Sequence, residues 1–220
     1  ELLPSENTMV EIYGCSRNTI RRAVAQLVEE GYVQSLHGKG VRVISQPVDQ
    51  ASFYIGGIES FRESAERNHR QTSTHVVQFA EISADEHIHT KTGFPTGSIL
   101  YYIQRVRYLD GKALILDINM FLKSQVPGLT REIAEGSIYD YIEKKLGMQI
   151  ITSKRTMTVE HTTQVDEKYL ELKDYNCLAV VTNQTYNADG IMFEYTQSRH
   201  RPDFFRFQET ATRKHRQETQ

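Results

Sequence analysis

The chain has 220 residues, 39% hydrophobic and 25% charged, with a formal net charge of −2. That balance describes a globular protein with a core, excludes disordered and fibrous classes, and carries no global nucleic-acid signal. No apolar run approaches the ~20 residues that span a bilayer, and the start, ELLPSE, lacks a signal-peptide pattern, so no membrane partner and a cytoplasmic location are expected.

Ser5 predicts a helix over 6–13, with Glu6 in its first turn and Gly14 where it ends. Ser16 predicts the cap of a second helix. Its Ile20, Ala23, Val24, Leu27 and Val28 recur at i, i+3, i+4, i+7 and i+8 up to Gly31. YVQSL and VRVIS then flank HGKG, two β-favouring runs around a glycine-containing turn, which read as a hairpin. Residues 45–52, SQPVDQAS, hold few core candidates and a proline, and predict a linker. Beyond it, GGIESFRESAERNH reads as a helix, THVVQFAEI as a strand and DEHIHTKTG as a short helix. ILYYIQRVRYL and KALILDINMFL joined by Asp110-Gly111 give the strongest hairpin signal, because Asp-Gly supplies the positive φ angles of a type I′ turn. TREIAEGSIYDYIEKKLG predicts a helix broken near Gly136-Ser137, QIITSKRTMTVEH a strand, QVDEKYLEL a helix, and CLAVVTNQTYN with IMFEYTQSRHR a last hairpin. Antiparallel strands interrupted by helices define an α+β class.

Three features bear on function. Over residues 16–44, Arg17, Arg21, Arg22, Lys39 and Arg42 are opposed only by Glu29 and Glu30, both remote from Ser16. Alone this reads as a solvated helix face. Beside a hairpin whose tip carries His37 and Lys39, it fits a winged helix-turn-helix that sets Arg, Asn and Thr against base edges and phosphates. Arg105 and Arg107 share one strand face with Tyr101 and Ile103, where two guanidiniums need either a carboxylate partner such as Asp117 across the hairpin or a bound anion such as phosphate. Ser137 can cap the second half of the broken helix, itself an anion site. No metal or cofactor is expected: His87 and His89 lack a third ligand, and Cys15 and Cys177 read as separate reduced thiols.

LPSE at 3–6, SRNTIRRAVAQLVEEGYV at 16–33 and GKG at 38–40 resemble the DNA-binding domain of the GntR family of bacterial repressors. That resemblance implies operator contacts by Asn7, Ser16, Arg17, Asn18, Thr19 and Arg21, with His37, Gly38 and Lys39 in the wing. The family carries a further helix before LPSE, so the domain is expected to be partial here and its DNA binding weakened. Ser60-Phe61, RVRYLDGKALILD at 105–117, GSIYDYIEKKLG at 136–147 and FEYTQSRHRPDFFRF at 193–207 resemble the UTRA effector domain of the HutC subgroup. The resemblance implies an antiparallel sheet with helices, similar to chorismate lyase but used for binding, and a homodimer. It places phosphate on Ser60, Arg105, Arg107, Ser137 and Tyr139, and the sugar on Asp117, Glu194 and His200. Asp117 and His200 depart from the glutamate and tyrosine of amino-sugar sensors, implying a different sugar pocket. VPGLTREIAEGSIYDYIEKKLG with EYTQSRHRPDFFRF is similar to the trehalose-operon repressors of that subgroup, which implies trehalose 6-phosphate as inducer.

The expected organisation is a winged helix at 1–44, a linker at 45–56, and an effector-binding and dimerisation domain at 57–213. Its partners would be operator DNA and a sugar phosphate. Another phosphorylated sugar, such as an amino-sugar phosphate, is the alternative effector. An enzyme acting on a sugar phosphate, with Asp117 and Glu194 as paired carboxylates, is the alternative activity. A non-enzymatic role is expected, since neither a G-x-S-x-G elbow nor a G-x-x-x-x-G-K-[ST] loop is present.

Overall fold

A computed structural model of the chain describes residues 1–44, 58–67 and 70–207. The linker expected at 45–56 and the end of the effector domain expected at 208–213 lie outside the described residues. The chain divides into two compact units; of the described residues, 1–44 belong to the first and 58–67 and 70–207 to the second.

The first unit is built by caps. Ser5 Oγ accepts from Thr8 N (3.2 Å) to start α1 (Glu6–Tyr13), and Gly14 at φ 60° closes it in the left-handed conformation glycine adopts without penalty. Ser16 Oγ accepts from Thr19 N (3.2 Å) to start α2 (Arg17–Glu29). Ile20 from the apolar stripe is buried, as are Met9 on α1 and Val33, whereas Ala23, at the stripe's edge, stays exposed. The hairpin pairs β1 (Val33–Leu36) with β2 (Gly40–Val43) around the expected turn. The N-terminal residues add to it, Leu2 bridging Arg42 and Leu3 N donating to Val41 O, an extension no turn or periodicity signal announced.

The second unit is a six-stranded antiparallel sheet in the order β3-β4-β5-β8-β7-β6. Its strands are β3 (Thr72–Ser83), β4 (Ile99–Leu109), β5 (Lys112–Leu122), β6 (Ile150–His161), β7 (Cys177–Asn187) and β8 (Met192–His200). Asp110 and Gly111 take φ 50° and 80°, as the predicted β4-β5 turn requires. The two sequential halves join where β5 pairs with β8. One sheet face packs Val106, Leu116, Leu178 and Val180 with Leu170 and Leu172, which follow α7 (Gln164–Tyr169). On that side Arg199 gives Nε to both Asp166 oxygens and Nη1 to Glu160, a satisfied ion network tying α7 to the sheet. The other face packs Tyr101, Ile103 and Phe121 with Ala134, Ile138 and Ile142 from α5 (Arg131–Glu135), α6 (Ile138–Asp140) and the π-helical turn that follows (Tyr141–Lys145). The predicted break at Gly136-Ser137 separates α5 from α6. Two short helices complete the unit, α3 (Phe61–Arg67) and α4 (Glu86–Thr92), the latter capped by Asp85 and ended at Gly93.

Candidate functional site

All nine residues singled out for DNA contact, Asn7, Ser16, Arg17, Asn18, Thr19, Arg21, His37, Gly38 and Lys39, are exposed. Ser16 and Thr19 are joined by the cap, which positions the first turn of α2. Arg21 does not project freely: its Nε donates to both Glu6 oxygens (3.1 Å) and its Nη2 lies 3.0 Å from Oε2, linking α2 to α1. This pair, 15 residues apart, holds Glu6's carboxyl below its ordinary pKa through the arginine hydrogen bond. A contact from Arg21 to DNA must share or release Glu6. Gly38 and Gly40 carry the positive φ angles of the wing tip, so that Lys39 N closes the turn on Leu36 O.

In the second unit the sheet face beneath α3, α5 and α6 forms the floor of a cavity of about 530 Å³, within the range of small-molecule sites. Ser60, Arg105, Arg107, Asp117, Ser137, Tyr139, Glu194 and His200 all line it. Strand register explains the convergence. Arg105, Asp117 and Ser198 are cross-strand partners on β4, β5 and β8. One row on, Asn119, Thr196, Asn183 and Arg155 are partners on β5, β8, β7 and β6. In the next row stand Phe121 and Glu194. Alternate residues of a strand share a face, so polar groups two apart line one floor.

Asp117 is the carboxylate partner of both arginines. Its Oδ2 accepts from Arg107 Nε (2.7 Å) and lies 3.6 Å from Arg105 Nη2, while Oδ1 accepts from Ser198 Oγ (2.7 Å). Burial pushes the Asp117 pKa up, but Arg107 and Arg105 outweigh it and hold the carboxyl below its ordinary value. Arg107 also gives Nη1 to Thr74 Oγ1 (2.7 Å) and lies over the Phe61 ring. Arg105 gives Nε to Asn119 Oδ1 (2.8 Å), but among the described residues its outer nitrogens meet only Asp117 at 3.6 Å and Ala134 O at 3.5 Å. Burial, then the neighbouring Arg107 charge, lowers its pKa to about 9. Two guanidiniums thus sit almost fully buried against one shared carboxylate. The surplus positive charge and loosely engaged donors suit an anion with several oxygens.

The rest of the floor is a directed chain of hydrogen bonds. Asn119 Nδ2 donates to Thr196 Oγ1 (2.7 Å), which donates to Glu194 Oε1 (2.6 Å), and Tyr139 Oη donates to Glu194 Oε2 (2.7 Å). Tyr139's hydroxyl is therefore committed to Glu194. Burial pushes both the Glu194 and Tyr139 pKa values up. His200 is buried beside the Phe205 ring, and burial pulls its pKa down to about 4 against the attraction of Asp117. Ser137 Oγ accepts from Asp140 N (3.2 Å), and Ser60 and Glu63 exchange backbone-to-side-chain hydrogen bonds at the start of α3. Asn119, Thr196, Asn183, Ser198 and Arg155 were missed from the sequence. Counting in twos from Asp117 reaches Asn119, and from Glu194 towards His200 reaches Thr196 and Ser198; Asn183 and Arg155 lie on strands that held no predicted site residue, so no such count finds them.

Known proteins converge on the same organisation. Residues 1–43 match the gntR family of bacterial regulatory proteins, and residues 67–206 match the UTRA domain. The chain is 37% identical over 213 residues to the HTH-type transcriptional regulator TreR of Bacillus subtilis, covering 97% of this chain and 89% of TreR. It is 28% identical to the mannosyl-D-glycerate transport/metabolism system repressor MngR of Escherichia coli, covering 97% of this chain and 88% of MngR. The solved effector-binding domain of the B. subtilis trehalose repressor superposes with a TM-score of 0.59 at 36% identity, covering 65% of this chain and 99% of that domain. The possible transcriptional regulator YydK of B. subtilis, at 21% identity and TM-score 0.80, shares the fold over 96% of this chain and 90% of its own. No helix among the described residues is long and apolar enough to cross a membrane. A winged helix ahead of a sheet that floors a polar cavity, and matches to both domain families, make this chain a member of the GntR family of bacterial transcriptional regulators with a UTRA effector domain.

Proposed function

We propose that the protein is a non-enzymatic repressor of a trehalose uptake or utilisation operon. As a homodimer it sets two winged helices on a two-fold operator, and trehalose 6-phosphate in the cavity weakens that grip. The observation that carries the effector class is the buried pair Arg105 and Arg107 sharing the single carboxylate of Asp117. A sugar phosphate supplies the missing negative charge, with Ser60, Ser137 and Tyr139 beside the arginines on the phosphate side and Asp117, Glu194 and His200 on the sugar side. The likeness to TreR supports trehalose as the sugar. On the operator side, the nine exposed residues of α1, α2 and the wing make the contacts.

Calorimetry tests this reading. Trehalose 6-phosphate is expected to bind, and trehalose to bind at least about 100-fold more weakly, since charge-assisted hydrogen bonds contribute about 1.5–3 kcal/mol each. Arg105→Ala is expected to raise the dissociation constant by about 10- to 100-fold, and to leave operator binding of the full-length chain intact. Unchanged affinity in the variant removes the phosphate assignment; tighter binding of another hexose phosphate, run alongside, replaces trehalose. Release of glucose from trehalose 6-phosphate would make the protein an enzyme.

A further inference from the structure

The cavity floor continues past the residues assigned above. In the row formed by Asn119, Thr196, Asn183 and Arg155, the half nearest the arginine pair is tied together: Asn119 accepts from Arg105 through Oδ1 and donates from Nδ2 to Thr196, which donates in turn to Glu194. Asn183 differs. Its Oδ1 accepts from Arg155 Nε (3.1 Å) and lies 3.4 Å from Ser153 Oγ. A guanidinium has no acceptor, so the amide of Asn183 has one allowed orientation, with Nδ2 turned away from Arg155. Among the described residues Nδ2 meets no acceptor, and Asn183 is half-buried in the cavity wall. Two protons on a fixed nitrogen are thus presented to whatever fills that end.

We propose that Asn183 reads a second sugar ring by donating its side-chain amide to an oxygen of that ring, which makes the effector class a phosphorylated disaccharide. The proposal rests on the placement of phosphate at Arg105 and Arg107. Adjacent strands lie about 4.8 Å apart, so Asn183 on β7 stands about 14 Å, three strand spacings, from the strand that carries the arginines. With phosphate on β4 and β5, a first ring covers Asn119, Thr196 and Glu194 on β5 and β8. β7 is left to a second. Val181, on the same strand and also lining the cavity, offers that ring an apolar face beside the amide.

The test is calorimetry of trehalose 6-phosphate, glucose 6-phosphate and inorganic phosphate against wild type, Asn183→Ala and Asn183→Asp. Aspartate keeps the acceptor for Arg155 and removes the donor, so it serves where the alanine variant fails to fold, as judged by melting and circular dichroism. In both variants trehalose 6-phosphate is expected to bind three- to tenfold more weakly, the loss of one neutral hydrogen bond, while glucose 6-phosphate stays within twofold of wild type. Equal weakening of both esters, unchanged binding of trehalose 6-phosphate, or wild-type binding of glucose 6-phosphate as tight as that of the disaccharide ester overturns the role of Asn183 and leaves the phosphate assignment standing. Failure of wild type to bind either ester or phosphate overturns the phosphate assignment itself.

Discussion

Asp117→Asn isolates the electrostatic core of the cavity, because it removes one charge, keeps the shape, and leaves an oxygen for Ser198. In the native arrangement Asp117 Oδ2 is 2.7 Å from Arg107 Nε and 3.6 Å from Arg105 Nη2, with all three side chains under a tenth exposed. Removing one partner of a buried ion pair costs about 3–5 kcal/mol, since the surviving charge stays buried. The Arg105 contact is long and the site opens to a cavity that admits water, so the lower end applies, about 3 kcal/mol. For a domain of this size each kcal/mol shifts Tm by about 2–4 °C, giving a fall of about 6–12 °C. Phosphate should reverse it: an anion bound only by the folded state, present at about 100 times its Kd, stabilises by about 2.7 kcal/mol, close to the deficit. Differential scanning calorimetry in phosphate and in chloride, matched for ionic strength, reads both quantities. A loss below about 1 kcal/mol, or equal stabilisation of variant and wild type by phosphate, would refute the account of two arginines short of an anion.

His200 gives a pH signature. Its folded pKa is about 4 against an ordinary 6.5, so between those values the unfolded chain takes up a proton that the folded chain refuses. Its stabilisation is fully present above pH 6.5 and is lost as pH falls, approaching about 3 kcal/mol at the lower end of the window. Urea titrations at pH 7, 5.5 and 4.5 should show this slope in wild type and its absence in His200→Asn; parallel curves would remove the assignment. On the operator side, Arg17→Ala in the full-length chain is expected to cost about 1–3 kcal/mol in operator affinity with little change on random DNA. Equal losses on both would make Arg17 a phosphate contact without base readout.

Local signals located most elements because the features that end them are local: Ser5 and Ser16 as caps, Gly14 and Gly93 as stops, and Asp110-Gly111 as the turn. The arginine pair was visible as a spacing of two on a strand, and Asp117 as its cross-hairpin neighbour. What stayed hidden depends on which strands become neighbours without being consecutive. The β5-β8 pairing brings Asn119 to Thr196 across 77 positions, and no short-range pattern announces it. The bridge from Arg21 to Glu6, the addition of Leu2 and Leu3 to the wing, and the π-helical turn after α6 are likewise tertiary outcomes, in which packing decides between locally acceptable alternatives. Asn119 and Asn183 look alike in sequence. Only their partners separate a side chain bonded through both its oxygen and its nitrogen from one bonded through its oxygen alone.

The chain of hydrogen bonds from Arg105 through Asn119 and Thr196 to Glu194 runs in one sense only. Turning the Asn119 amide over would set its NH2 against the Arg105 Nε–H, proton facing proton, so the guanidinium fixes the polarity of every link after it. The floor of the cavity is therefore wired like a battery, with a proton-rich pole at Arg105 and an electron-rich pole at Glu194. Each link polarises the next. A ligand with an anion at one end and hydroxyl protons at the other fits this floor head-first, and the same molecule reversed meets like poles at both ends.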